Sequence, residues 1–138
     1  MILHCVPPDA EFPVISFQDT DVFFLLVSHL DKMSCKLLWM RAGALKKPKY
    51  LPIHTIRELL EETIPEVETI LSFHAITGCD TVSYFAGHSK KTAWKTFTEQ
   101  HHMLLRNLGN DDLDDFTIKS AEKFICRVYN QIYIIKYC

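Results

Sequence analysis

Glycine and paired cysteines are scarce in this sequence. Its 138 residues include only four glycines and no low-complexity tract, which argues against disorder. The five cysteines are an odd number without a Cys-x-x-Cys pair, so the spacing indicates neither a disulfide framework nor a structural zinc site. Scattered thiols of this kind are typical of a reducing compartment. We therefore expect an intracellular protein of the nucleus or cytoplasm.

Long hydrophobic runs are also missing. The longest apolar run covers only residues 22–27, whereas a helix needs roughly 20 apolar residues to cross a bilayer. Residues 1–8 lack the positive charge and the apolar length of a signal peptide. The sequence therefore predicts no membrane association.

The net charge excludes one class of nucleic-acid binder. Fifteen Lys and Arg stand against 17 Asp and Glu, a formal charge of −2, so the chain does not hold nucleic acid as a bulk polycation. Positive charge is concentrated locally, because residues 32–49 carry six basic side chains and no acidic one. This segment is either a contact for a phosphate backbone or, more often for such a pattern, a solvated hairpin tip.

The first part of the chain indicates an α/β arrangement. Three strands are predicted, over residues 12–17, 36–40 and 50–53. A helix is predicted over residues 22–30, because the acidic turn 19–21 precedes its apolar run. The basic loop 41–49 contains glycine and proline, which favours an antiparallel turn between the second and third strands.

The remainder of the chain indicates helices. Thr55 and Glu58 have the spacing of a capping box. Helical periodicity over residues 67–77 stops at Gly78, and Ser89 or a neighbour is a candidate cap for another helix. A last helix follows the acidic run 111–115 and carries an apolar stripe from residue 121 to 132. We expect a single domain over residues 1–138, with a strand-containing part at 1–53 and a helical part at 54–138.

The acidic turn is the first candidate site. Asp19 and Asp21 follow a strand, and on extended backbone side chains at i and i+2 point the same way. Ligand sites in α/β sheets lie beyond the carboxyl ends of strands, and Mg²⁺ prefers carboxylate oxygens. Taken alone, the tripeptide favours the alternative in which Asp19 or Asp21 caps the following helix.

The second candidate site begins at Gly78, which fits the end of a helix. Asp80 follows it, and a turn with Gly87, Lys90 and Lys91 then leads into a helix. Lysines beside the amides of a helix N-terminus suit a phosphodiester backbone. The alternatives are that Asp80 caps the next helix and that the two lysines are simply exposed in a solvated turn. His74, on an apolar helix face, is predicted to be a core histidine.

These two segments resemble a known family. The sequence FHAITGCDTVSYF at residues 73–85, with Gly87 and KKTAW at 90–94, resembles the signature of PIN-like domains in the flap endonuclease and XPG-related branch. The sequence QDTDV at 18–22 is similar to the earlier Asp-x-Asp element of that fold. The block also resembles one that recurs in open reading frames of animal genomes. The resemblance spans roughly residues 12–100 and keeps the order of both motifs.

The resemblance implies the C-terminal part of a three-layer α/β fold with a helix–two-turn–helix segment. It implies that Asp19, Asp21 and Asp80 are metal ligands of a nuclease that uses Mg²⁺ or Mn²⁺. Gly87, Lys90 and Lys91 would contact the backbone of DNA or RNA. The family's other acidic ligands lie upstream of the Asp-x-Asp strand, so an N-terminally truncated domain is expected.

Two alternatives to an active nuclease stay open. The first is a degenerate descendant that keeps the fold, lacks turnover and binds nucleic acid weakly. The second is a helical protein-interaction module whose match to the motif is accidental. Ser89 stands where relatives tend to have a second glycine, which would limit the approach of backbone to phosphate.

Overall fold

The computed structural model describes residues 14–17, 19–78, 85, 87–110 and 113–129. Within these residues the chain forms a three-stranded mixed sheet and five α-helices, which confirms the prediction of an α/β protein. The chain divides into two compact units, the first ending at Val67 and the second beginning at Glu68. Among the described helices, none has the length and apolar character needed to cross a membrane.

The sheet lies in the first unit. Its strands are β1 (Val14–Ser16), β2 (Trp39–Ala42) and β3 (Lys49–Pro52), in that spatial order. β1 runs parallel to β2, and β3 pairs antiparallel with β2, as the hairpin prediction required. β2 begins later than predicted. The Ile53 amide still donates to the Leu38 carbonyl (2.9 Å) in the register of the hairpin, but the Leu38 amide donates to a side-chain atom, His54 Nδ1 (3.3 Å), instead of to the opposite strand.

Two α-helices accompany the sheet. α1 (Thr20–His29) continues as a 3₁₀ turn over Leu30–Lys32, and α2 (Ile53–Glu61) follows β3 directly. The predicted capping box is wrong, because Pro52 occupies the cap position of α2 and no side chain caps the helix. Among its described residues, the unit buries eight apolar side chains: Leu26, Val27, Leu30, Leu38, Met40, Ile53, Ile64 and Val67.

Arg57 connects α2 to the end of α1. Its side chain is only 11% exposed, and Nη1 donates to the carbonyls of Val27 (2.9 Å) and Ser28 (2.8 Å). These carbonyls belong to the last turn of α1, where no intrahelical donor remains for them. Arg57 also pairs with Glu61 (Nε to Oε1, 2.8 Å) and Asp31 (Nη1 to Oδ1, 3.4 Å). One guanidinium therefore satisfies both a helix end and two carboxylates.

Removing this guanidinium will destabilise the chain. We expect Arg57→Met to lower the free energy of unfolding in urea by about 2 kcal/mol, because two carbonyls lose their donors. Lys95→Met is a matched control, since its pair with Glu99 (3.8 Å) is exposed at both ends and such pairs contribute less than about 1 kcal/mol. Equal losses in the two variants would contradict this assignment.

The second unit is helical. It contains α3 (Thr69–Ile76), α4 (Lys90–Thr96) and α5 (Asp115–Val128), with a π-helical turn at Phe97–His101 and a 3₁₀ turn at His102–Leu105. The rings of Phe73 and Phe97 lie 4.8 Å apart, and Trp94 and Phe124 complete an aromatic cluster around them. α5 begins earlier than the apolar stripe alone indicates, and residues 130–132 of that stripe lie outside the described residues.

Asp114 is the N-cap of α5. Its Oδ1 accepts a hydrogen bond from the Thr117 amide at 2.7 Å, in keeping with the prediction that the acidic run supports a helix N-terminus. Hydrogen bonds from the Thr117 side chain and then from its amide hold the pKa of Asp114 below its ordinary value of 3.8. The charged carboxylate is therefore the form that the folded helix favours.

This cap makes stability depend on pH in the acid range. Because the pKa of Asp114 is lower in the folded chain, its contribution is complete above about pH 3.8 and is lost as the pH falls through the lowered value. Asp114→Asn keeps a capping oxygen that does not titrate. We expect the melting temperature of the wild type to fall more steeply below pH 3.8 than that of this variant. Parallel pH profiles would contradict the role of Asp114.

Candidate metal and nucleic-acid site

The carboxyl ends of β1 and β2 meet at one edge of the sheet. Ser16, the last residue of β1, is in register with Arg41, whose carbonyl accepts a hydrogen bond from Phe17 at 3.1 Å. The Arg41 side chain donates from Nη1 to Ser16 Oγ at 3.4 Å. Asp19 follows this edge and starts α1. The chain therefore places a carboxylate where α/β sheets bind their ligands.

Asp19 caps α1. Its backbone is extended (φ −90°, ψ 129°), and Oδ1 accepts a hydrogen bond from the Asp21 amide at 2.9 Å. This is the alternative that the tripeptide alone favoured. Asp19 is exposed, and an ionised carboxylate has acceptor sites on both oxygens. The capping bond is therefore compatible with a cation on the same side chain.

The backbone conformation of Asp21 differs from the prediction. It lies in the first turn of α1 and is half-buried, so the expectation that both carboxylates extend from a strand is wrong. The cause is the cap at Asp19, which starts the helix two residues before the predicted residue 22. The two carboxylates lie on either side of the helix start, where negative charge is favourable.

The third predicted ligand, Asp80, lies outside the described residues. Among the residues that are described, no three or more His, Cys, Asp or Glu side chains form a group that would hold a metal ion. Asp19 and Asp21 have donors of the right chemistry, because Mg²⁺ binds one or two protein carboxylates and keeps several waters. The described residues thus offer carboxylate oxygens at this turn but no group of three ligands.

The predicted backbone-contacting turn is partly described. Gly87 is exposed with φ +75°, and a Cβ there would meet no atom within 4 Å, so the conformation rather than the space favours glycine. Ser89 caps α4 as predicted, with Oγ accepting from the Thr92 amide at 3.3 Å. Lys91, in the first turn of α4, is exposed. Of the two lysines in this turn, Lys91 is thus the exposed one.

Lys90 lies at the start of α4 but points back to α3. Its Nζ is 2.7 Å from His74 Nδ1 and 2.9 Å from the Gly78 carbonyl oxygen. An ammonium group has no acceptor, so His74 Nδ1 accepts in this contact. His74 is 7% exposed, as expected of a core histidine. Gly78 has φ +100° just after the last turn of α3, so Lys90 binds the end of that helix.

A small cavity in the first unit was not predicted. It has a volume of about 180 Å³ and is lined by Leu30, Asp31, Lys36, His54, Arg57, Glu58 and Glu61. The ring of His54 packs edge-on against Trp39, with centroids 5.6 Å apart. The i, i+4 spacing of Arg57 and Glu61 was the sequence signal that could have placed these two side chains on one face of a helix. It does not indicate that Asp31 and Lys36, from another part of the chain, would face the same space.

Comparisons with protein-family models, with curated proteins and with solved structures found no match to this chain. The class of the protein therefore follows from its own fold and residues. That class is an α/β protein with an acidic strand-to-helix turn in one unit and a lysine-bearing helical turn in the other.

The two lysines of α4 will respond differently to substitution. We expect Lys90→Met to lower the free energy of unfolding by about 1 to 2 kcal/mol, because it leaves His74 Nδ1 and the Gly78 carbonyl without this donor. Lys91→Met removes an exposed charge of the same kind and should change it by less than about 0.5 kcal/mol. Urea denaturation measures both. A larger effect at Lys91 would refute the contacts of Lys90.

Proposed function

We propose that this chain is a PIN-like domain of the flap endonuclease and XPG-related branch, which hydrolyses phosphodiester bonds of nucleic acid with Mg²⁺ or Mn²⁺. The observation that carries the proposal is the position of Asp19 directly beyond the carboxyl end of a strand that is paired in parallel. This is the edge at which open α/β sheets bind ligands. The parallel strand–helix–strand unit also supports a PIN-like, three-layer arrangement.

In this proposal Asp19, Asp21 and Asp80 hold the divalent cation. When bound, such a cation polarises a phosphoryl oxygen and makes a water more acidic. The chain's own part is to orient the carboxylates: Asp19 is fixed by its bond to the Asp21 amide. Exposed Lys91 and the turn at Gly87 then contact the sugar–phosphate backbone without reading its sequence.

A second candidate is a descendant that binds nucleic acid but does not cleave it. Two observations favour it. Asp19 caps α1, and Lys90 binds His74 and Gly78, so the folded chain needs both residues whether or not catalysis occurs. Selection for the fold alone would keep these two motif residues.

Metal-dependent cleavage separates the two candidates. We expect labelled branched and single-stranded DNA and RNA to be cleaved with Mn²⁺ and not with EDTA. Asp19→Asn retains the cap, since Asn is as good a cap as Asp, and removes the charge. We expect it and Asp80→Asn to slow cleavage roughly 100-fold or more, as removal of a charge-stabilising group does in other active sites.

Asp115→Asn is the control, because it removes an exposed carboxylate at the start of another helix. Cleavage that survives both Asp19→Asn and Asp80→Asn contradicts the metal site. Binding of nucleic acid without cleavage by the wild type establishes the second candidate. A chain that neither binds nor cleaves nucleic acid contradicts both and leaves the protein-interaction module.

A further inference from the structure

The hairpin of β2 and β3 exposes an aromatic ring beside several cations. Tyr50 on β3 is 53% exposed, and Leu45 in the turn is 79% exposed. Lys46, Lys47 and Lys49 are exposed as well. Lys49 pairs with Ala42, so it lies on the face of the hairpin opposite Tyr50. We call Tyr50, Leu45, Lys46 and Lys47, together with Arg41 on β2, the hairpin patch. An exposed aromatic ring on the same hairpin as basic side chains is the combination with which proteins bind single-stranded nucleic acid.

The strand register places Tyr50 and Arg41 on the same face of the sheet. They are paired directly across β2 and β3, so their side chains are neighbours. The next pair, Met40 and Leu51, points to the opposite face, where Met40 is 2% exposed. The ring of Tyr50 therefore lies on the face of the hairpin that does not bury Met40.

The turn between the strands is a built structure. The Lys47 amide donates to the Ala44 carbonyl at 2.9 Å. Gly43 has φ +83°, and a Cβ there would lie 3.0 Å from the Lys47 carbonyl oxygen, so the turn needs glycine at this position. The lysines consequently extend from a defined backbone, which lowers the entropic cost of ordering them on a ligand.

The charge of the hairpin patch has one sign. From residue 32 to residue 49 the sequence contains six Lys and Arg side chains and no Asp or Glu, although the whole chain has a net charge of −2. The lysines of the hairpin therefore have no acidic partner within this stretch. Their charge suits a ligand with repeated negative charges.

We infer that the hairpin patch binds single-stranded nucleic acid, with Tyr50 stacked on a base and the basic side chains on the phosphates. Single strands expose the faces of their bases, and stacking on an aromatic ring beside a basic groove is how they are bound without sequence preference. The inference extends the proposed function to a second surface. It rests on that function in one respect, namely that the ligand is nucleic acid and not another polyanion. It does not depend on hydrolysis or on Asp80.

Binding of fluorescent oligo(dT) to the full chain, measured by anisotropy in EDTA, tests this assignment. We expect Tyr50→Ala to weaken binding about tenfold, since stacking contributes about 1 to 3 kcal/mol per base. Tyr50→Phe keeps the ring and should bind within about twofold of the wild type. Thermal unfolding of each variant shows whether the fold is retained, and Tyr50→Phe excludes a general effect of substitution.

The salt dependence gives a second, independent readout. For a single strand, log K falls with log salt by about 0.7 per phosphate contact. Replacing both Lys46 and Lys47 by Ala should therefore reduce the slope by about 1.4. The matched control replaces Lys119 and Lys123, two exposed lysines of α5, and should leave the slope unchanged.

Wild-type affinity in Tyr50→Ala, or equal slopes in the two double variants, overturns the inference. So does tighter binding of duplex DNA, of phosphatidylserine vesicles or of a poly-glutamate peptide through the same residues. Because the assay contains no divalent metal, its outcome is separate from cleavage. Tyr50-dependent binding without cleavage supports the hairpin patch as a binding site and contradicts the proposed nuclease activity. Cleavage without Tyr50-dependent binding supports the nuclease activity and contradicts the role of the hairpin patch.

Discussion

The parallel pairing of β1 with β2 is the constraint on which the first unit depends. Two adjacent strands can run in the same direction only if the chain crosses back between them, and α1 with its 3₁₀ extension makes that crossing. The crossing must begin beyond the end of β1, which is where Asp19 starts the helix. At the other end of the crossing, Arg57 donates hydrogen bonds to the carbonyls of the last turn of α1. The position of the candidate site is thus a consequence of the topology.

Residues that the family resemblance assigns to chemistry also have structural roles. Asp19 caps α1, and Lys90 joins α4 to the end of α3 through Gly78. In the second case the contact reaches within two residues of Asp80, the third predicted ligand. Lys90 is therefore better placed to hold the end of α3 than to approach a phosphate itself. Lys91 is exposed, so it is better placed than Lys90 to approach a phosphate.

Local patterns were sufficient for much of the fold. The N-cap at Ser89 and the end of α3 at Gly78 can be predicted from residues within one helical turn. The hairpin can be predicted from the composition of its loop. Contacts between distant segments were not predictable in this way. Arg57 meets a carbonyl 30 residues away, and Lys90 meets a ring 16 residues away. The failed capping box at Thr55 has the same origin, since the start of α2 is set by a bond to Leu38 across the hairpin.

Arg41 links the two surfaces of the first unit. Its side chain contacts Ser16 at the carboxyl edge of the sheet, and its neighbour across the hairpin is Tyr50. In the proposed complex, a single-stranded nucleic acid stacks on Tyr50 of β3. Only β2 separates it from β1, the strand that Asp19 follows. The arrangement separates the charges that the net value averages: carboxylates at the helix start, cations on the hairpin. A lysine paired with a carboxylate would occupy the oxygens that a divalent cation needs. The separation therefore suits a ligand whose phosphates bind the hairpin while the carboxylate oxygens stay open to a cation.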